Sequence, residues 1–201
     1  LVLVCSPLLA IWEASWSWND VAARVRPTEK GKEELGVANI KPTATPVLVS
    51  ACLLGEKCRY NGKGYTLPCF QQSLQGYKLI PVCPEVMGGL PVPRRPCELK
   101  GGDGKQVWQG TAGVFTDQGR DLTEAFRLGA CKTLQLAIDA GAKTAILKEK
   151  SPSCGCNIIY DGSFGNRLIP GVGVTAALLR EKGMEVLAET EWLQKRRDNL
   201  V

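Results

Sequence analysis

Three segments of this chain place a cysteine just past an apolar run: LVSAC ends at Cys52, LIPVC at Cys83, and TAILKEKSPSC at Cys154. Thiolates are soft donors, suited to iron–sulfur clusters and to zinc. The chain holds nine cysteines and no histidine, so the commonest general base and the commonest metal ligand are both missing. Any metal must therefore be held by thiolates, perhaps with carboxylates. A Cys–His hydrolase is excluded, since no imidazole is there to activate the thiol. Three thiolates leave one coordination position open. On a cubane cluster that exposes one iron to substrate; on zinc it leaves room for an exchangeable water. The spacing is long, unlike the tight C-x-x-C runs of ferredoxins, so only topology can bring the three together.

The residues around these thiols could complete a site. Glu85 follows Cys83 by two positions in CPEVMGG and could act as general acid or base, its alternative being a loop carboxylate. Ser151 and Ser153 flank Pro152 ahead of Cys154, where hydroxyls can orient a substrate or simply cap a turn. Arg94 and Arg95, in PVPRRPCE, could face an anionic or carbonyl-bearing ligand, with at least one of them solvated. Ser50, Arg94 and Ser153 are the expected substrate-binding residues. Cys58 and Cys156 each neighbour an expected ligand, as spare thiols or supporting groups. Cys131 and Cys69 read as buried small hydrophobes, and Cys97 lies in an expected hairpin with no obvious task.

The elements that must carry these residues alternate. PVLVSAC, YKLIPVC, KTAIL and MEVLAE read as strands; LPCFQQSLQG, DLTEAFRLGACKTLQLAIDAG and GVTAALLREKG read as helices. Asp121 and Glu124 suit a capping box, and Gly141 a helix end. CELKGGDGKQVWQG reads as a hairpin turning at GGDG. The expected fold is α/β: a parallel sheet flanked by helices in a Rossmann-like three-layer arrangement, with a small β-hairpin insertion. In such sheets ligands sit outside the carboxyl ends of the strands, which is where Cys52, Cys83 and Cys154 would emerge.

The net charge of +5 over 201 residues is mild, and no basic run of the kind that tracks nucleic acid occurs; Lys195, Arg196 and Arg197 read as a solvated tail. An odd cysteine count without a convincing secretory leader points to reduced thiols in the cytoplasm. Residues 1–45 look foreign to the rest: three of five tryptophans lie there, and the apolar start is too short to span a bilayer. They read as a start assigned upstream of the true one, or as disordered chain, with an amphipathic docking helix as the rival. Residues 46–201 then form a single catalytic domain.

The segments VLVSACLLGEKCRYNGKG, PVCPEVMGGLPVPRRPCEL and LKEKSPSCG, in that order, resemble the thiouracil desulfidase family from about Val47 to Glu189. The resemblance implies a [4Fe-4S] cluster held by Cys52, Cys83 and Cys154. It implies Glu85 as the acid/base carboxylate, Ser151 as the substrate-orienting serine, and non-redox replacement of a thiopyrimidine's sulfur by water, giving uracil and sulfide. Asn61 stands where an aspartate is expected. The expected partner is a small thiolated nucleobase or thioamide, with no membrane and with thiolated RNA as the lesser possibility. Two other readings stand beside it: a zinc-thiolate hydrolase, and a binding or sensing protein whose cluster is structural, fully ligated by Cys58 or Cys156.

Overall fold

The computed structural model describes residues 44–198, so the expectations for an N-terminal extension fall almost wholly outside the described residues. Strand β1 (Thr45–Ser50) is apolar without alternation because both its faces are covered. Val47 and Val49 pack to one side, Leu48 to the other. On either side of β1 lie β2 (Tyr77–Val82) and β5 (Thr144–Leu147), and β8 (Glu185–Ala188) lies beyond β5. The order β2-β1-β5-β8 is parallel throughout.

Helices cover both faces, as expected. On one, α4 (Thr123–Ala140) and α5 (Val174–Glu181) bury Phe126, Leu134, Leu178 and Leu179 against Leu48, Ala145 and Leu147. On the other, α1 (Phe70–Ser73) and α6 (Glu189–Asp198) bring Phe70, Leu74 and Trp192 against Val47, Val49 and Ile146. The Trp192 indole N–H donates to Ser73 Oγ at 2.9 Å, which joins the two helices. Helix α6 also corrects the tail reading, because Lys195, Arg196 and Arg197 lie in its last turns. The strand order reverses beside β1, since the chain runs from β1 to β2 on one side and later resumes at β5 on the other. Such a switch point opens a crevice at the carboxyl ends of the strands.

The hairpin insertion is present but differently built. Strand β3 (Cys97–Lys100) pairs antiparallel with β4 (Gly113–Thr116), and between them KQVWQ belongs to a helix, α3 (Gly104–Gln109). Asp103 decides this. Its Oδ1 accepts the Lys105 N–H, and Gln106 Oε1 accepts the Asp103 N–H, which together form a capping box that starts a helix where a tight turn was expected. A second hairpin, β6 (Ile158–Tyr160) with β7 (Leu168–Pro170), had no expectation. Asp121 Oδ1 accepts the Thr123 N–H, but the residue at the cap of α4 is Leu122, with no side-chain cap bond, and Glu124 pairs with Arg127.

Candidate metal-cluster site

The carboxyl ends of β1 and β2 are in register, Ser50 opposite Val82. Cys52 and Cys83 therefore leave the sheet side by side. The chain after β1 turns at once into a short 3-10 helix, Ala51–Leu54, closed by Gly55 at φ 95, a left-handed conformation that glycine takes without strain. After β2, Pro84 opens helix α2 (Pro84–Met87); proline suits the first helical position because its missing N–H has no partner there. Glu85 thus sits in a first turn, where the helix dipole favours a negative charge.

Helix α2 is held against α4 by backbone rather than by side chains. A Cβ on Gly129 would meet the Pro84 carbonyl oxygen at 1.9 Å, and one on Gly88 would meet that of Ala125 at 2.1 Å. Lys132 Nζ adds a bond to the Met87 carbonyl at 2.9 Å.

The Cys154 loop is clasped from several directions. Ser151 Oγ accepts the N–H groups of Ser153 and Cys154, both at 3.1 Å. Glu149 Oε1 accepts those of Cys156 (2.8 Å), Ile158 (3.1 Å) and Asn157 (3.2 Å). The first N–H groups of α5 donate to the carbonyls of Pro152 and Ser153. Behind Glu149 stands the buried Glu189, whose carboxylate accepts the Glu149 N–H at 2.8 Å and Lys148 Nζ at 2.7 Å. The Lys148 ammonium also lies 4.2 Å from the centre of the Tyr65 ring.

These elements bring the expected residues to one edge of the sheet. The Cys154 thiol lies in hydrogen-bond reach of the Ser50 and Ser153 hydroxyls and feels the charges of Cys83 and Glu85. Burial pushes it up to about 12. Cys83 is pushed well above the ordinary thiol range by its hydrogen bond with Cys58 and then by burial. Cys58 itself is raised to about 11, first by its bond with Cys52. Cys97 is raised to about 12 by burial and then by the nearby Glu85 charge, which places it unexpectedly close to the site.

Glu85 is held firmly. Its Oε2 accepts both Nε and Nη2 of Arg94 at 2.7 Å, and the two side chains are only 15% and 6% exposed. Arg94 Nη1 donates to the carbonyls of Cys58 (3.1 Å) and Pro91 (3.2 Å). The guanidinium is thus occupied by the protein, with Glu85 Oε1 left over.

Ser50 and Ser153 stand behind Cys154 rather than in front of it. Ser153 is fully buried with its Oγ 2.8 Å from Thr175 Oγ1, and Ser50 Oγ accepts the Lys148 N–H at 3.0 Å. Arg95 pairs with Asp117 at the surface, as expected of one of the two arginines. Asn61 Oδ1 accepts the Lys63 N–H and shapes a turn. Cys69 is exposed, which corrects its reading as a packed hydrophobe, and Cys131 is half-buried.

This donor set suits a cationic cluster. Several thiols converge without a histidine, and the Arg94 guanidinium is already spent on Glu85. Neighbouring thiols and burial hold Cys58, Cys83 and Cys154 protonated, a balance that a bound cation reverses by drawing off their protons. Among the described residues, no three Cys, Asp or Glu side chains already stand as a ready-made site for a metal ion.

What the fold and site define is an α/β protein with a thiol-lined edge at the switch point of its parallel sheet and a clamped carboxylate beside it. Comparison with known proteins makes this specific. A family model described as 2-thiouracil desulfurase matches residues 47–191, and the chain belongs to that family. It is 46% identical over 145 residues to the protein YbbK of Bacillus subtilis (strain 168), covering 72% of this chain and 96% of that one. A solved structure of a [4Fe-4S]-dependent thiouracil desulfidase, TudS, aligns with a TM-score of 0.66 at 38% identity, covering 78% of this chain and 99% of the other. Among the described residues, no helix is long and apolar enough to cross a membrane.

Proposed function

We propose that the protein removes sulfur from a thiolated pyrimidine such as 2-thiouracil, releasing sulfide and leaving oxygen in its place. What supports this reading is that Cys154 lies near Cys83 and a clamped Glu85, with Cys52 leaving the strand beside that of Cys83, within a family and beside a structural neighbour named for that reaction. A [4Fe-4S] cluster held by those three cysteines would supply an open iron as a Lewis acid for the thiocarbonyl sulfur.

Glu85 takes the part of general base. Its Oε2 is saturated by Arg94, so Oε1 is the atom available to take a proton from water as the water oxygen attacks the ring carbon. The carbon–oxygen bond forms, the carbon–sulfur bond breaks, and the sulfur leaves as sulfide. Ser151 orients the base. Its oxygen already accepts two N–H groups, so its hydroxyl is left to donate, which suits a carbonyl or ring nitrogen of the substrate. Arg94, Ser50 and Ser153, expected to touch substrate, are assigned supporting places: Arg94 behind Glu85, the two serines behind Cys154.

The test is anaerobic reconstitution followed by iron and sulfide analysis and addition of 2-thiouracil. About four irons per chain, as a cubane requires, with uracil and sulfide formed in equal amounts, is the expected result. A loaded protein that leaves 2-thiouracil unchanged overturns the substrate assignment, and one that never takes up iron overturns the cluster.

A further inference from the structure

Cys58 has no part in the reaction above, yet it sits among the residues that do. Its thiol is in hydrogen-bond reach of both Cys52 and Cys83. The Cys83 thiol donates to the Cys58 carbonyl at 3.7 Å, and Arg94 grips the same carbonyl. The loop that carries it is fastened further along, where the Tyr65 N–H donates to the Cys52 carbonyl at 2.8 Å. None of these contacts requires a bound cluster, so Cys58 stays beside the two ligands when they are empty. It is half-buried, as is Cys83, whereas Cys52 and Cys154 are buried. A small oxidant from solvent therefore reaches Cys58 before it reaches either of those. Cys154 is the thiol turned to Ser50 and Ser153 instead.

We propose that Cys58 is a site of thiol–disulfide exchange with a low-molecular-weight disulfide, and that it passes the bond to Cys52 or Cys83 whenever they carry no iron. The sulfur of Cys58 displaces one thiol from the incoming disulfide and forms a mixed disulfide. Cys52 or Cys83 then attacks the Cys58 sulfur and expels the second thiol. Two protein thiols are oxidised to one disulfide, their two protons pass to the two expelled sulfurs, and the low-molecular-weight disulfide is reduced to two thiols. The consequence rests on the ligand assignment made above: a chain locked in this way lacks a cluster ligand until a dithiol reduces it. Loss of iron in air then leads to a recoverable protein, in place of one whose ligand sulfurs climb to irreversible oxidation states.

The experiment uses the full-length, iron-free protein, treated under argon with excess oxidised glutathione and examined by intact mass and peptide mapping. Cleavage at Lys57 separates Cys52 from Cys58, so the link can be assigned. The expected product has lost two hydrogens and joins Cys58 to Cys52 or Cys83. It refuses iron until dithiothreitol is added, while Cys58→Ser keeps Cys52 and Cys83 reduced and loads without it. Should Cys58→Ser fold poorly, Cys58→Ala serves in its place. Cys58 left unlinked in the wild type, or a Cys52–Cys83 link formed as fast without it, overturns the inference. If the link maps as expected but the reduced protein never takes a cluster, the ligand reading fails and the exchange site stands.

Discussion

Gly129→Ala puts the placement of Glu85 to a direct test, because local and tertiary effects predict opposite signs. In a helix interior, alanine for glycine gains roughly 0.5–1 kcal/mol from backbone entropy alone. Gly129 lies in the middle of α4, so helix propensity predicts a more stable protein. Packing predicts otherwise. The new Cβ would stand 1.9 Å from the Pro84 carbonyl oxygen, ordinary contact begins at 3.4 Å, and α2 must therefore retreat by about 1.5 Å. The nearest atoms are backbone, which no rotamer change relieves. Overpacking costs about 1–3 kcal/mol, so after the propensity gain the variant should be less stable by roughly 1–2 kcal/mol.

Displacement matters more than stability here. Pro84 lies between Cys83 and Glu85, and misplacing a reacting group by about 1 Å costs on the order of 100-fold in rate. The assay is kcat/KM for sulfide release by anaerobically loaded protein, with a urea midpoint measured beside it. Leu128→Ala, one residue away on α4 and 44% exposed, is the control and should leave turnover unchanged. A Gly129→Ala protein with wild-type kcat/KM and a raised midpoint would refute the contact argument, and with it the claim that α4 positions the carboxylate.

Glu85→Gln should take up a full complement of iron and yet lose roughly 10²–10⁴-fold in kcat; an active variant removes Glu85 from the chemistry. Glu149→Gln deprives the Cys154 loop of a charged acceptor for three N–H groups, Cys156, Asn157 and Ile158. Hydrogen bonds to charged groups are worth about 1.5–3 kcal/mol each, so the urea midpoint should fall and iron should be shed faster on chelation; an unshifted midpoint shows the clasp to be dispensable. Alkaline pH should destabilise the iron-free, reduced protein. Below the ordinary thiol value of 9.0 both states are protonated, but above it the unfolded chain ionises first, since burial holds Cys154 up to about 12 in the fold. The unfolded state then binds fewer protons and stability falls, by on the order of 1 kcal/mol per pH unit for each such buried thiol. Urea midpoints that stay flat between about pH 8 and pH 10 contradict that linkage.

What the sequence made legible is what depends on single-chain patterns. LVSAC stands out because a strand covered on both faces is uniformly apolar and stops abruptly at the sheet edge, whereas LIPVC ends an edge strand whose Lys78 and Pro81 are exposed. Parallel pairing then carries Cys52, Cys83 and Cys154 to the same edge without any local motif. The GKQVWQ helix was also written in the chain, as Asp103 three positions ahead of Gln106, but the GGDG glycines drew the reading toward a turn. Glu149 was not legible at all. Its partners are backbone N–H groups, which every residue but proline offers, so nothing in the side chains of Cys156, Asn157 and Ile158 marks them as donors. Glu189 is hidden in the same way and by distance as well, standing 40 residues from the N–H it accepts.

Arg94 shows why charge and neighbourhood are insufficient to assign a role. From the sequence it is an exposed-looking cation near an expected ligand site, and substrate binding is a natural reading. In the fold its side chain is 6% exposed, it faces Glu85, and its other bonds go to the carbonyls of Cys58 and Pro91. A buried arginine of this kind cannot leave its carboxylate unpaired without heavy cost. In the proposed reaction its place is to fix which oxygen of Glu85 is free, and it ties the Cys58 loop to the same point. The two jobs separate experimentally. Arg94→Lys keeps a charge for Glu85 but cannot reach Glu85 Oε2 and the Cys58 and Pro91 carbonyls in one planar fork. It should retain part of the turnover while loosening the loop, so that the Cys58 thiol of the iron-free protein is alkylated faster than in the wild type. Unchanged alkylation would mean that the loop is held at Tyr65 alone.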